Sequence, residues 1–464
     1  MIEARGKTAL ALIAFVTAVA LYPLVFAGTY TLGVGVAAGA MAAGTVGFVL
    51  LIGYAHQLAL GQAAFCIIGG YVNALLCTPH DWDPAAALVA LADPALAKRL
   101  LAGWDPFVPL LVGAILAMLL AYVVGKPILK LRGFVLGMAS LALQLILIYA
   151  AIEAPFTGGA LGISGVPKFA VLGIRFDTDL AFYYATWTAV LAAIVIGLNI
   201  DRSRIGRALK AIAASEMAAG AAGIDITKYK VQMFVISAGM ASVSGSLTVH
   251  YLRLMEPGVF GFAYSLNIIT AVIAGGLMSI WGGAIGAALI IGVREALRDL
   301  ALPLWESVIM GALTVIVLIA FPRGFAGFIS TGFDWLTGRR TPRETKSAAV
   351  EPDAKALAPF GTPPPPDAPL LDVSGASRAF GNLKAVADVS FSVRAGAITA
   401  LIGPNGAGKT TLFNLICGYQ PLDRGEVRFE GRGIGTLLPS EIATLGMGRT
   451  FQNLQLFGNM TVVD

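Results

Sequence analysis

Residues Leu401–Phe413 read LIGPNGAGKTTLF, and they decide what kind of chain this is. The pattern Gly403-x4-Gly408-Lys409-Thr410 is a phosphate-binding loop when it follows a strand and opens a helix. Both conditions are met locally. AITALIG, just upstream, is a short apolar run like a buried strand, and a helix is predicted over Lys409 to Cys417. Gly403, Gly406 and Gly408 permit backbone conformations that other residues resist. Pro404, Asn405, Ala407 and Thr411 complete the loop, whose N–H groups converge at a helix N-terminus as an anion nest. Lys409 supplies a point charge for the β- and γ-phosphates, and Thr410 a hydroxyl for Mg²⁺. ATP and Mg²⁺ are the expected ligands.

Upstream of this loop the composition changes completely. The chain is 57% hydrophobic and only 13% charged, against roughly 25% charged in soluble domains. Runs near 8–27, 31–51, 57–77, 107–125, 133–153, 180–199, 231–250, 263–278, 283–297 and 304–321 are candidates to span the bilayer. The first is about the length of a span and more spans follow, so a first transmembrane helix is expected, with a signal peptide as the alternative. The fold expected is a polytopic α-helical membrane domain of about ten spans followed by a partial α/β P-loop domain. The net charge of +5 reflects Lys and Arg beside the membrane, where contact with lipid accounts for it without nucleic acid.

Lys and Arg also orient the chain. With the N-terminus inside, Arg5, Lys7, Lys126, Lys130, Arg132, Arg323 and the cluster from Arg202 to Lys230 all fall inside. Lys98, Arg99, Lys168, Arg175 and Arg253 fall outside, with Arg294 and Arg298 near a helix end. Both termini are therefore expected in the cytoplasm. Cys66, Cys77 and Cys417 lack metal-ligand spacing, and Cys66 and Cys77, in one apolar segment, read as packing residues.

Three regions follow: membrane domain 1–330, linker 331–369 and P-loop part 370–464. The linker TGRRTPRETKSAAVEPDAKALAPFGTPPPPDAPL (337–370) lacks apolar periodicity, and Pro363–Pro366 suit a polyproline II rod. LLDVSGASRAF, AVADVSFSVRAG and GEVRFEG alternate as strands do.

The run GPNGAGKTTLFNLICG (403–418) resembles the ATP-binding subunit of ABC transporters. That resemblance implies an adenine-stacking aromatic at Phe380, in RAFGNLKAV. It also implies a glutamine that contacts Mg²⁺ and the attacking water, at Gln452 in GRTFQNLQLF. The family further uses an LSGGQ-type loop, a strand ending in Asp-Glu and a switch histidine. Residues 1–464 contain none of these, so the hydrolytic site is incomplete here, and truncation of a longer fusion is expected.

GYAHQLALGQAAFCIIGGYVNALL (53–76), LRGFVLGMASLAL (131–143), TGGALGISGVP (157–167), GGLMSIWGGAIGAALI (275–290) and FPRGFAGF (321–328) resemble the permease subunit of bacterial branched-chain amino-acid ABC importers. The P-loop part resembles the ATP-binding subunit of the same system. The resemblance implies a plasma-membrane importer working with a second permease, a second ATPase and an extracytoplasmic amino-acid-binding protein. Within DRSRIGRALKAIAASEMAAGAAGIDITKYK (201–230), Glu216, Ala218, Ala219 and Gly223 fall at spacings like the importer coupling loop; an ordinary positive-inside loop is the alternative. Glycine-broken helices of inverted repeats often line substrate paths. Gln57, Gln62, Gly69 and Gly70 on the third run and Gly275 and Gly276 on the eighth are therefore candidates, with close helix packing as the alternative. Two other functions stay open: a nucleotide-binding regulatory or assembly protein without turnover, and an exporter half-transporter.

Overall fold

The computed structural model describes residues 2–26, 28–78, 103–131, 133–299, 305–320, 324–327 and 369–451. Gln452 and, except for Pro369, the linker expected over 331–369 lie outside the described residues. The chain packs as two compact units. One comprises 1–209 with 227–340; the other comprises 210–226 with 341–464.

The first unit is helical. Its principal helices are α1 (Ile2–Val25), α2 (Thr29–Val49), α3 (Ala63–Cys77), α4 (Phe107–Ile128), α5 (Phe134–Glu153) and α6 (Asp179–Arg202). After α7 (Arg204–Ala214) and α8 (Glu216–Ala221) come α9 (Ile226–Leu252), α10 (Phe262–Gly275), α11 (Ile280–Asp299) and α12 (Glu306–Ala320). Each of the ten apolar runs thus carries a helix. Among the described residues, 7 helical segments are long and apolar enough to cross a membrane. Leu10–Val25 in α1 and Ala63–Cys77 are shorter apolar helices.

Burial sorts these helices. The span built on α2 is 89% buried, whereas α4 and α5 are each 28% buried. On α4 the large side chains Leu111, Ile115, Leu119 and Val123 recur every fourth residue and are exposed. Such an apolar stripe would be unfavourable in water and suits lipid. α2 instead is rich in Gly and Ala, so its neighbours approach closely. Trp187 on α6 donates to the Gly35 carbonyl at 3.0 Å, and Thr45 donates to the Gly283 carbonyl of α11 at 2.8 Å.

Some polar groups inside the helical unit are paired across helices. Asn73 Nδ2 donates to Ser246 Oγ at 2.7 Å. His250 bridges Asn73 Oδ1 through Nε2 (3.0 Å) and the Pro167 carbonyl through Nδ1 (2.9 Å). This ties α3, α9 and the loop after α5 together where an unpaired polar group would be costly. Cys66 and Cys77 are buried packing residues.

In the second unit, β5 (Pro369–Phe380), β6 (Leu383–Arg394), β7 (Arg424–Phe429) and β8 (Arg432–Gly433) form an antiparallel sheet in the order β6-β5-β7-β8; β1 to β4 are two-residue strands at Ile163–Ser164, Ala170–Val171, Ile174–Arg175 and Leu254–Met255 in the first unit. Helix α13 (Lys409–Ile416) places Leu412, Leu415 and Ile416, three and four residues apart, in a core with Val373, Val386 and Val427. α14 (Pro439–Thr444) adds Ile442.

One expectation is corrected. AITALIG (397–403) is not a buried strand. It has no ladder partner among the described residues, and Ile398 and Ile402 are 102% and 91% exposed. The apolar pattern records what the segment would be buried against. Burial itself requires neighbouring strands, and β6 to β8 pair elsewhere.

Candidate functional site

The phosphate loop occupies the turn between residue 403 and the start of α13. Gly406 and Gly408 both take left-handed backbone, with φ of 85° and 81°. At Gly408 the requirement is absolute: a Cβ there would lie 2.1 Å from the Ala385 carbonyl oxygen. Gly403, Pro404, Asn405, Gly406 and Ala407 are exposed, as is Thr410, whereas Gly408, Lys409 and Thr411 are partly covered. Lys409 folds over the loop and donates through Nζ to the carbonyls of Gly403 and Pro404, both at 2.6 Å. Its ammonium thus sits above the loop, where an anion would meet it. A glycine-shaped cradle, a lysine above it and a hydroxyl at the helix start fit a nucleotide's phosphates.

Phe380 ends β5 and is 42% exposed, so one part of its ring is free to stack. The Arg378 guanidinium lies 5.1 Å from its centroid. Asp423 secures this corner: it accepts from the Ala379 N–H at 2.8 Å and pairs with Arg378 at 2.5 Å. The Ala379 N–H first, and then Arg378, hold its carboxyl below the usual carboxylate range. Burial pushes the Cys417 thiol up.

Residues 210–226 belong to the same unit as the loop. Ser215 caps α8 by accepting from the Ala218 N–H at 3.2 Å. Ala218 and Ala219 are buried. Gly223 is left-handed (φ 82°), and a Cβ there would touch Thr444 of α14 at 3.6 Å. Small residues on α8 thus let it lie close to α14.

Three residues not singled out from sequence link α8 to the phosphate loop's helix. Tyr419 Oη donates to the Met217 carbonyl at 2.7 Å. The Arg449 guanidinium stacks 5.1 Å above the Tyr419 ring and donates to Asn414 Oδ1 at 2.8 Å. Asn414 lies on α13. An isolated Tyr, Arg or Asn carries no motif; only the packing joins them.

The six residues considered for a substrate path divide. A Cβ at Gly69 would stand 2.0 Å from the Ser242 carbonyl oxygen, and one at Gly275 1.8 Å from that of Gly282. Gly70 abuts Met255, and Gly276 has φ 120°. Close packing is seen at Gly69, Gly70 and Gly275, and a positive φ at Gly276. Gln57 and Gln62 are buried. Gln62 Nε2 donates to Ser237 Oγ at 2.6 Å and Gln57 Nε2 to the Ala55 carbonyl at 3.3 Å. Their Oε1 atoms have no hydrogen-bond partner among the described residues.

A mostly apolar helical unit with helices long enough to cross a membrane and a loop suited to a nucleotide's phosphates define the class as a multi-pass membrane protein with a nucleotide-binding part. Comparison makes this specific. The family described as "Branched-chain amino acid transport system / permease component" matches residues 30–318, more than half of the chain, and the chain belongs to that family. The ABC transporter family matches residues 386–464. The chain is 26% identical over 308 residues to the high-affinity branched-chain amino acid transport system permease protein LivM of Salmonella typhimurium, covering 60% of this chain and 66% of that one. It is 45% identical over 96 residues to the ATP-binding protein BraF of Pseudomonas aeruginosa, covering 21% of this chain and 38% of that one. A solved nucleotide-free ATP-binding cassette from an ABC transporter is 42% identical over 19% of this chain and 35% of its own, with a TM-score of 0.19. The chain therefore spans about two thirds of the permease relative and well under half of the ATP-binding one.

Proposed function

We propose that this chain is a component of an ATP-driven importer of branched-chain, hydrophobic amino acids, in which permease and ATP-binding part share one polypeptide. The observation that carries the reading is the second unit, which gathers a glycine-shaped phosphate loop and residues 210–226 of the permease sequence into one compact body. The likeness to LivM in one half and BraF in the other supports the same cargo class from both.

The loop from Gly403 to Thr411 would hold the phosphates of ATP, Thr410 and Gln452 would hold Mg²⁺, and Phe380 would stack on adenine. Bound Mg²⁺ supplies charge neutralisation across the β- and γ-phosphates. Lys409 already lies over the loop and needs only to exchange two carbonyls for phosphate oxygens. Glu216, Ala218, Ala219 and Gly223 form the coupling segment. Nucleotide-driven movement of α13 would reach it through Asn414, Arg449 and Tyr419.

A second permease, a second ATPase and an extracytoplasmic amino-acid-binding protein complete the transporter. The Lys and Arg distribution supports both termini on the cytoplasmic side of a bacterial inner membrane. Of the path candidates, Gln57 and Gln62 retain the polar groups suited to that role. In the assembled transporter, leucine-loaded binding protein is expected to stimulate ATP hydrolysis above the leucine-free protein. Equal rates with and without leucine would contradict the reading.

A further inference from the structure

We infer that a crevice lined by α2, α9, α10 and α11 is a binding site for a zwitterionic amino acid with an aliphatic side chain. The inference rests on the importer reading and gives its cargo a place in this chain.

Two cavities of the helical unit adjoin. The wider, of about 500 Å³, is rimmed by Asp179, Arg294, Glu295 and Arg298, with Tyr30 and Tyr251 on its wall. The deeper, of about 190 Å³, shares Ala37, Tyr251, Leu252, Ile291 and Arg294 with it, so the two form one crevice. Met41, Val259 and Ile290 line its floor, with Thr248, Tyr264 and Asn267 among the polar groups there. The wider cavity falls within the range of about 300–1,000 Å³ usual for small-molecule sites; its rim is polar and charged, and the mostly apolar wall belongs to the deeper cavity.

The rim chooses the ligand. Two carboxylates and two guanidiniums balance, which suits a molecule carrying both charges and disfavours a net anion or cation. Glu295 Oε2 forms a long ion pair with Arg298, three residues on along α11, at 3.7 Å, beyond hydrogen-bond distance. Glu295 Oε1 is buried without a hydrogen-bond partner among the described residues. A buried carboxylate oxygen in that state is costly until a donor arrives; an α-ammonium is such a donor, and a guanidinium on the same rim can receive the α-carboxylate. The aliphatic side chain would then point toward Ala37, Met41 and Ile290. Gly33 lets the Tyr251 side chain close against α2: a Cβ there would lie 2.6 Å from Tyr251 Oη. On the proposed orientation the rim is extracytoplasmic, where a binding protein would release its cargo.

The test uses the full chain with its partners in lipid nanodiscs. Ala37→Cys is labelled with a maleimide, and Val259→Cys repeats the measurement from the opposite wall. Background is read on the unsubstituted chain, whose Cys66 and Cys77 are buried. Leucine is expected to slow labelling at both positions. Isocaproate, which lacks the ammonium, and isoamylamine, which lacks the carboxylate, are expected not to. Glu295→Gln should raise the leucine concentration needed by about tenfold. Equal protection by isocaproate, or none by leucine, would overturn the site. So would labelling blocked by lipid alone and indifferent to leucine. If leucine-stimulated hydrolysis persists without protection, only this site fails. If protection persists without stimulation, the importer reading fails and the site stands.

Discussion

Tyr419 offers the sharpest test of how the two functions of this chain communicate. Its hydroxyl donates to the Met217 carbonyl at 2.7 Å, and its ring carries Arg449, which in turn holds Asn414 on α13. Tyr419→Phe removes one neutral hydrogen bond and keeps the ring. A neutral hydrogen bond contributes about 0.5–1.5 kcal/mol net, and this one is solvent-accessible, which favours the lower half of that range. About 0.5–1 kcal/mol corresponds to a two- to fivefold change in an equilibrium. Arg449→Ala removes more: the stacking on Tyr419, worth about 0.5–1 kcal/mol at exposed sites, and a charge-assisted hydrogen bond to Asn414. The assay is leucine transported per ATP hydrolysed in the assembled transporter, with nucleotide affinity measured alongside. The expected outcome is unchanged nucleotide affinity for Tyr419→Phe, a two- to fivefold loss of coupling and a larger loss for Arg449→Ala. If both variants keep the wild-type ratio, the link through Tyr419 is not used.

Gly408→Ala must adopt left-handed backbone at a cost of about 1–2 kcal/mol and place a methyl 2.1 Å from the Ala385 carbonyl; fluorescent-nucleotide titration should show at least a tenfold weaker affinity. Gly275→Ala would set a methyl 1.8 Å from the Gly282 carbonyl, so the α10–α11 pair should open at a cost of about 1–3 kcal/mol, read as earlier thermal unfolding of the purified protein. Asp423→Asn should speed amide exchange at Ala379. Because the Asp423 carboxyl is held below its ordinary 3.8, its stabilising contribution is present above that pH and is lost as pH falls through the depressed native value. The difference in exchange between wild type and variant should therefore close in acid.

Much of this was legible in the sequence because it depends on local pattern. Ten apolar runs needed only length and hydropathy, and the loop needed only its glycines, Lys409 and the following helix. The strand at 397–403 was misread because its apolarity was local while its burial depends on partners. The glycines at 69 and 275 show the converse. Gly-Gly in a helix is compatible with a path and with a tight crossing, and only the carbonyls of Ser242 and Gly282 opposite them reveal how tight the crossing is. In the second unit Tyr419 and Arg449 meet Met217 and Asn414 only on folding, and in the first Ala37 and Tyr251 meet Arg294 likewise; no spacing announces either group.

The central claim is that ATP bound at the Gly403–Thr411 loop drives leucine across the membrane. Uptake of radiolabelled leucine into vesicles holding the complete transporter measures this directly. The account predicts accumulation that requires ATP on the side bearing the C-terminal part, requires the binding protein on the other, and disappears in Lys409→Ala. Leucine accumulation that is indifferent to ATP, or that survives Lys409→Ala undiminished, would contradict it.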